Sequence, residues 1–223
     1  MPYNKNILGH MSESELTVIE DWARSVTENG VIVEIGTFFG RSAVCWAMTA
    51  PKSVKIYCGD VWPESLTSTG YNYRMPWYAP KPNYNYNLWQ DFKDNVKEFS
   101  NIIPMRGLCP QEIKYPGDPI DIFFLDAAHT NPSDWENLEY FLQFMKPSGM
   151  ICGHDYSSDW PDVVENVHKL ESMLNRKAKI HANGWLWSIS LNESNYLRID
   201  EATIQRKISE SRHGGGILKR RQQ

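Results

Sequence analysis

Five residues in one short segment have the types and spacing needed to hold a cofactor. In chain order they are Glu34, Gly36, Thr37, Gly40 and Ser42. They follow an apolar run that starts at Val31, and an acidic strand end that passes into a glycine turn and a helix is typical of cofactor sites in α/β proteins. Glycine at both positions allows a tight turn and close approach of a ligand to the backbone. Phe38 replaces the middle glycine of a dinucleotide fingerprint, so the loop favours a nucleoside cofactor without a pyrophosphate.

Three more carboxylates stand where later apolar runs end: Asp60, Asp126 and Asp155. His129 lies three residues after Asp126, and His154 immediately precedes Asp155. Because the carboxyl ends of parallel strands share one edge of a sheet, we expect these side chains to gather at one cleft. One carboxylate in such a position often caps a helix or forms an exposed ion pair. Four in register, counting Glu34, indicate a ligand site.

The chain resembles the class I S-adenosylmethionine-dependent methyltransferases, and within them the group that includes catechol and antibiotic-sugar O-methyltransferases. Their first motif reads E-x-G-x-x-x-G-x-S, which Glu34, Gly36, Gly40 and Ser42 match. The segments Leu125-Asp-Ala-Ala-His129 and Gly153-His-Asp-Tyr156 add two acidic sites at strand ends, as in that family. The resemblance extends over roughly residues 30–191 and implies S-adenosylmethionine as the cofactor.

The resemblance also implies which residues hold each part of this cofactor. Asp60 is expected to accept both ribose hydroxyls, because a carboxylate presents two acceptor oxygens and no donor. Gly107 and Cys109 fall where the family places small residues around the adenine, with Cys109 in place of the usual serine. Ser42 would lie near the amino-acid part of the cofactor, and Asp126 would border both the cofactor and the acceptor.

Asp126 and Asp155 resemble the two aspartates by which metal-dependent O-methyltransferases hold Mg²⁺, an ion that prefers oxygen ligands. Tyr156 stands where that group often has asparagine, so a third ligand is not expected there. His129 occupies the place of the family's catalytic lysine, and a histidine is a suitable base near neutral pH. His154 is the alternative base, and the residues do not decide between the two.

Composition narrows the compartment and the class of partner. The net charge of −4 gives no indication of the basic surface that a nucleic-acid partner would require. Four cysteines lie in or beside apolar runs without C-x-x-C spacing, which favours reduced thiols and a cytoplasmic protein over a disulfide or zinc framework. No apolar run approaches the ~20 residues that cross a bilayer, and the N-terminus lacks the apolar core of a signal peptide.

The alternation of strand-like and helical runs predicts a doubly wound, mostly parallel sheet in a Rossmann-like methyltransferase fold. Ser12 and Glu15 form a capping-box pattern for a first packing helix, and Ser133 with Glu136 repeats that pattern later. Predicted strands cover 31–35, 54–58, 102–106, 120–125 and 150–152. The last two, 178–182 and 185–191, are separated only by Asn183-Gly184, a link that joins antiparallel strands.

We expect one methyltransferase domain over residues 1–191 and a C-terminal extension over 192–223, the last part of it mobile. Residues 61–89 form an insertion rich in Tyr, Trp, Pro and Asn, here called the aromatic insertion. Loops of such length are usually functional, and aromatic faces stack on sugar rings, so we interpret it as a cover over the acceptor. The alternative is an ordered packing flap.

Taken together, the residues predict an O-methyltransferase for a small-molecule hydroxyl, with a sugar or another polyol as the acceptor and with a divalent cation such as Mg²⁺. One alternative is an NAD-dependent oxidoreductase on a similar sheet, which the missing glycine at Phe38 disfavours. Another is a domain that binds a cofactor or saccharide without turnover, which the grouping of Asp126, His129 and Asp155 disfavours. No nucleic-acid or membrane partner is expected, and a homo-oligomer is compatible with the sequence.

Overall fold

The computed structural model describes residues 7–67 and 85–191 of the chain. Within these ranges the helices are α1 Glu13–Ser25, α2 Arg41–Thr49, α3 Leu88–Val96, α4 Ser133–Leu142 and α5 Pro161–Leu174. The strands are β1 Val31–Ile35, β2 Lys55–Asp60, β3 Leu66–Thr67, β4 Asn85–Tyr86, β5 Ile102–Arg106, β6 Ile120–Leu125, β7 Met145–Gly153, β8 Lys179–His181 and β9 Leu186–Ser190.

Seven of the described strands form one sheet in the order β5-β2-β1-β6-β7-β9-β8. The first five are parallel, whereas β9 runs antiparallel to both of its neighbours, β7 and β8. This confirms the predicted doubly wound sheet with an antiparallel C-terminal hairpin. The chain moves outward from β1 to β2 and β5, then returns to place β6 on the other side of β1. The reversal between β1 and β6 opens a crevice at their carboxyl ends.

Helices cover both faces of the sheet, and the alternation of strand side chains divides the core between them. Ile32 of β1 packs with α1, α2 and α3, while its neighbour Val33 packs with α4 and α5. Trp46 and Phe141 are completely buried, one in each layer. Full burial of one such side chain stabilises the fold by about 1.5–3 kcal/mol. The strands are therefore fixed from both sides, which holds their carboxyl ends in place.

Of the two predicted capping boxes, the first is confirmed and the second is wrong. Ser12 caps α1, and Glu15 completes the predicted capping box. The expected cap at Ser133 is wrong: Pro132 occupies the cap position of α4 and makes no side-chain bond, and its carbonyl accepts the Glu136 N–H. Helix α3 begins at Leu88, because the Asn87 side chain accepts the N–H of Gln90 and caps it.

Strand β7 is longer than the predicted strand 150–152, since it begins at Met145. Its pairing with β6 shifts register between Ile120 and Ile122, which absorbs the extra residues. The final turn is a short 3₁₀ segment, Ala182–Gly184, between β8 and β9.

The ends of the aromatic insertion belong to the core, contrary to the prediction that all of 61–89 lies outside it. Trp62 is completely buried, and its ring centroid lies 4.2 Å from that of Phe92. Strands β3 and β4 pair antiparallel and bring the two ends of the insertion together. Residues 68–84 and the extension 192–223 lie outside the described residues.

The four cysteines, Cys45, Cys58, Cys109 and Cys152, are buried and free, as predicted. No helix among the described residues is both long and apolar enough to cross a membrane.

Candidate active site

The glycine turn after β1 packs directly on the end of β6. Gly36 has a φ of +92°, and a Cβ atom there would lie 1.8 Å from the backbone oxygen of Asp126. The Asp126 N–H donates to the Ile35 carbonyl at 2.9 Å, which continues the β1–β6 pairing beyond the strands. Glycine at 36 is therefore required by this backbone contact, in addition to the ligand approach expected from the sequence. The turn of residues 36–40 is here called the cofactor loop. The contact places this loop beside Asp126.

Asp60 holds the same loop from its other side. One carboxylate oxygen accepts the Phe38 N–H at 2.8 Å, and the other accepts the Trp62 N–H at 3.0 Å. The Trp62 indole N–H donates back to the Phe38 carbonyl at 2.6 Å. Phe38 has a φ of +53°, an uncommon value for a residue with a side chain, and these bonds keep it there. A carboxylate has about four acceptor sites, so those that the backbone N–H groups leave free can still accept a ligand hydroxyl at Asp60.

Glu34 lies beneath the loop with none of its surface exposed. Burial raises its pKa to about 8, against the opposing effect of Ser42, Trp46 and Thr37 beside it. The Glu34 Oε1 atom and the Thr37 hydroxyl are buried and form no hydrogen bond of normal geometry with described residues. Buried polar atoms without well-formed hydrogen bonds next to a glycine turn are suited to a polar ligand group. Contact of Glu34 itself with the cofactor stays a prediction.

The strand ends of β2 and β5 continue this edge. The Gly107 N–H donates to the Asp60 carbonyl at 2.9 Å, so both predicted positions, ribose and adenine, are adjacent. Cys109 is buried, and burial raises its pKa to about 12, so it is a neutral thiol. Val61 and Leu108 lie beside these positions, 51% and 48% exposed, and were not predicted as site residues. The sequence signal that could have identified them is an apolar residue directly after the polar residue or glycine at the end of a strand.

Gly40 is the N-cap of α2 with a φ of +86°, and a Cβ there would lie 3.1 Å from Phe92. The start of α2 is also held by a segment that precedes α1. The Arg41 side chain donates to the carbonyls of Met11 at 3.1 Å and Ile7 at 2.9 Å. His10 in this segment stacks on Phe38, with ring centroids 5.8 Å apart. The segment that precedes α1 is thereby fixed against the cofactor loop.

The second half of the crevice brings Asp126, His129 and Asp155 together, as predicted. His129 Nε2 lies 3.2 Å from Asp126 Oδ1 and 2.9 Å from Asp155 Oδ2. Burial opposes the charged form of His129, but hydrogen bonds and attraction from the two aspartates outweigh it and raise its pKa to about 10. The His129 side chain is 21% exposed and can reach a ligand in the crevice.

His154 lies on the inner side of the same aspartates. Its Nδ1 is 2.9 Å from Asp155 Oδ2, and its Nε2 is 2.7 Å from Glu15 Oε1 on α1. Burial opposes protonation, yet the charge of Asp126 and hydrogen bonds to Asp155 and Glu15 hold the His154 pKa well above its ordinary value. Hydrogen bonds to both histidines hold the pKa of Asp155 below its ordinary value, against the effect of burial. The sequence pattern around Glu15 predicts only a helix cap and does not indicate this contact.

The donor set of this cluster fits a divalent cation. Asp126, His154 and Asp155 each offer one ligand atom, and these atoms lie within 4.8 Å of one another. Carboxylate and imidazole are common ligands of divalent metals. The Tyr156 hydroxyl lies 3.3 Å from His168 Nε2, so the phenol has a partner in His168. His154 is the third candidate ligand that the sequence analysis did not identify.

Two tryptophans border the cluster and were also missed. The Trp160 ring lies 4.7 Å from that of His129, and Trp160 is 36% exposed. The Trp185 ring lies 6.0 Å from that of His154 in a stacked arrangement. Neither residue has a sequence signal of its own, because each precedes a helix or strand at an irregular position. Trp160 offers an aromatic surface at the rim of the crevice.

A family model described as a methyltransferase domain matches residues 33–156, which is more than half of the chain. The chain therefore belongs to this family, and its fold is that of the class I S-adenosylmethionine-dependent methyltransferases. The matched segment contains the glycine loop, Asp60, Asp126 and Asp155. The family match gives no support to a nicotinamide-dependent oxidoreductase or to a domain without turnover. No curated protein sequence matches the chain significantly.

Solved structures agree with this fold. A candidate O-methyltransferase from Klebsiella pneumoniae is 16% identical with a TM-score of 0.57, covering 83% of this chain and 84% of its own. A candidate caffeoyl-CoA O-methyltransferase from Staphylococcus aureus is 15% identical with a TM-score of 0.58, and the match covers 83% of this chain and 87% of that one. The O-methyltransferase TomG of Streptomyces achromogenes, solved with S-adenosylmethionine, is 15% identical with a TM-score of 0.54, covering 81% of each chain. At these identities the likeness concerns the fold.

Proposed function

We propose that the protein transfers the methyl group of S-adenosylmethionine to a hydroxyl of a small molecule. The observation that carries the proposal is the position of His129 between Asp126 and Asp155, beside the loop that contains Gly36. A base next to two carboxylates suits a hydroxyl acceptor, which must lose a proton when its oxygen is methylated. S-adenosylmethionine supplies the electrophilic methyl group when it is bound.

Three groups of residues would bind the cofactor. Asp60 accepts the ribose hydroxyls with the acceptor sites that its backbone contacts leave free. Gly107, Val61 and Leu108 surround the adenine, where exposed apolar side chains would be covered by the base. Cys109 lies behind this surface. Thr37 and Ser42 lie nearest to the amino-acid part, and the buried Thr37 hydroxyl, which makes no hydrogen bond of normal geometry with described residues, supports that assignment.

His129 is the base in this proposal, and His154 is not. Both ring nitrogens of His154 are within hydrogen-bonding distance of buried carboxylates, whereas the His129 side chain is partly exposed. A group that is enclosed on both sides cannot reach an acceptor. The raised pKa of His129 means that its neutral, basic form increases as the pH rises above neutral.

Asp126 and Asp155 would hold a divalent cation, Mg²⁺ or a similar ion. Such an ion supplies charge that orients an acceptor oxygen and makes its hydroxyl more acidic. The chemistry of the ligand atoms at this site supports the assignment.

The acceptor in this proposal is a sugar or another polyol. The exposed face of Trp160 supports it, because aromatic faces pack against the apolar faces of sugar rings. The aromatic insertion would contribute further aromatic side chains, although residues 68–84 lie outside the described structure. A cytoplasmic location and the absence of nucleic-acid and membrane partners remain expectations from composition.

The test is a mass-spectrometric screen with S-adenosylmethionine labelled in its methyl group. The acceptor panel contains free sugars, glycosides, catechols, amines and thiols, and the expected product is a saccharide or polyol with the label on oxygen. The His129→Gln variant is the control for transfer that depends on the site. Labelling confined to amines or thiols would contradict the proposal.

A further inference from the structure

His154 is bound on both sides by carboxylates from distant parts of the chain. Its Nε2 lies 2.7 Å from Glu15 Oε1, and the two residues are 6% and 5% exposed. Its Nδ1 lies 2.9 Å from Asp155 Oδ2 and 3.8 Å from Asp126 Oδ1. Nearly all described contacts of the imidazole that involve charge are therefore to these three acids.

This arrangement requires a positive charge next to Nδ1. When Nε2–H donates to Glu15, Nδ1 carries a lone pair that faces one carboxylate oxygen of Asp126 and one of Asp155. The lone pairs of these three atoms repel one another. Either a proton or a cation must lie between them. Two ligand atoms that each lie about 2.1 Å from one ion are about 3 Å from each other when the ligand–ion–ligand angle is 90°. They are farther apart when that angle is wider. The observed separations of 2.9 and 3.8 Å match such an arrangement.

Glu15 is well fixed for the role of an outer partner. Its backbone N–H donates to the Ser12 hydroxyl at 3.4 Å, and its Oε2 accepts the Ser12 N–H. The capping box therefore uses one carboxylate oxygen and leaves Oε1 for His154. Metal-binding histidines typically donate their second ring N–H to a carboxylate in this way, which fixes the tautomer and the orientation of the ring.

We propose that Nδ1 of His154 joins Asp126 and Asp155 as the third protein ligand of a divalent cation, with Glu15 as the positioning residue that orients His154. The inference rests on the proposed function only in placing the cation at the same site. An imidazole ligand favours Mn²⁺ or a later first-row ion over Mg²⁺, because Mg²⁺ prefers ligand sets made of oxygen alone. The chain therefore selects a different metal from the one that its two aspartates alone suggest.

The first experiment measures Mn²⁺ and Mg²⁺ binding to the full chain by calorimetry, without S-adenosylmethionine or acceptor. Wild-type protein should bind Mn²⁺ more tightly than Mg²⁺, and Glu15→Gln should weaken Mn²⁺ binding by about 10- to 100-fold. Glu20→Gln is the matched control: Glu20 lies on the same helix, is 4% exposed and pairs with Arg24 at 2.9 Å, away from the cluster. It should keep wild-type affinity.

The second experiment reads the ligand directly and does not depend on the stability of the Glu15 variant. Pulsed electron paramagnetic resonance of bound Mn²⁺ should reveal ¹⁴N coupling from a coordinated imidazole, lost in His154→Gln and retained in His129→Gln. Tighter binding of Mg²⁺ than of Mn²⁺, absence of ¹⁴N coupling, or unchanged affinity in a folded Glu15→Gln protein would each overturn the proposal. Neither experiment uses methyl transfer, so a failed acceptor screen leaves these outcomes unaffected, and the reverse holds too.

Discussion

Glu15 and His154 are 139 positions apart in the sequence, and their side chains form a buried contact of 2.7 Å. The contact ties the first turn of α1 to the residue that follows β7. Helix α1 precedes the sheet and resembles a packing element, yet one of its capping residues belongs to the candidate active site. The start of α1 and the site are consequently parts of one structural unit.

Replacement of Asp60 by alanine should weaken S-adenosylhomocysteine binding and also loosen the loop. Loss of charge-assisted hydrogen bonds to a ribose costs about 3 kcal/mol, or roughly 100-fold in affinity. The Phe38 and Trp62 N–H groups lose their acceptor, which should lower the free energy of unfolding by about 1–3 kcal/mol. Calorimetry and thermal unfolding measure the two effects.

Asp118→Ala is the matched control for Asp60. Its carboxylate accepts from Lys55 and Tyr57, each at 2.7 Å, at the opposite edge of the sheet. Affinity for S-adenosylhomocysteine should stay at the wild-type value in this variant. Wild-type affinity in Asp60→Ala would refute the ribose assignment.

Turnover should rise with pH through the neutral range and beyond, because His129 acts as a base only after it loses its proton. Without a cation the two aspartates raise its pKa to about 10, and a cation bound to them would lower the pKa, so the rise should end below that pH. His129→Gln should lower kcat by about 10²- to 10⁴-fold where the base is neutral and should remove this rise. His181→Gln, whose histidine contacts Ser188 at 2.9 Å on the hairpin, should keep the wild-type profile. An unaltered profile in His129→Gln would exclude His129 as the base.

The sequence was sufficient for the parts of the fold that depend on local patterns. The strands at 31–35, 102–106 and 120–125 were predicted with their observed bounds, since each is an apolar run of strand length. The grouping of Asp126, His129 and Asp155 followed from topology alone, because parallel strands bring their carboxyl ends to one edge.

Contacts that depend on packing between distant segments could not be predicted. Glu15 matches a capping box, and nothing in that pattern indicates a partner more than a hundred residues later. Gly36 is required by the Asp126 backbone oxygen, a neighbour that only the folded sheet supplies. Trp62 counts as a loop residue by composition, but its burial against Phe92 arises from the return of the chain at α3.

Asparagine at position 126 or 155 should abolish most turnover and leave S-adenosylhomocysteine affinity near the wild-type value. An amide carries no charge and binds a divalent cation less strongly than a carboxylate does. A chelator should likewise stop turnover of the wild-type protein, and added Mg²⁺ or Mn²⁺ should restore it. Full activity in the presence of chelator would eliminate the metal from the proposed function.

Glu34→Gln should stabilise the protein increasingly as the pH rises from 5 to 8. Burial raises the pKa of Glu34 from its ordinary 4.5 to about 8 in the folded state. Below pH 4.5 Glu34 is protonated in both the folded and the unfolded state. Between pH 4.5 and 8 only the folded state keeps the proton, so the free energy of unfolding falls as the pH rises. Above pH 8 Glu34 is ionised in both states and this dependence ends. The neutral amide escapes this loss, which amounts to a few kcal/mol. Thermal unfolding of both proteins across this range should reveal a growing difference, and a constant difference would contradict it.

Replacement of residues 68–84 by Asn-Gly should leave the fold and cofactor binding intact and abolish acceptor turnover. Strands β3 and β4 already pair Leu66 with Tyr86 and Thr67 with Asn85, so a two-residue loop can close this hairpin. The shortened protein keeps Trp62 and α3, which support Asp60 and the loop. Saturation with S-adenosylhomocysteine at a hundredfold excess over Kd should therefore still stabilise it by about 2.7 kcal/mol. Turnover with an unchanged KM for the acceptor would limit the aromatic insertion to a packing role.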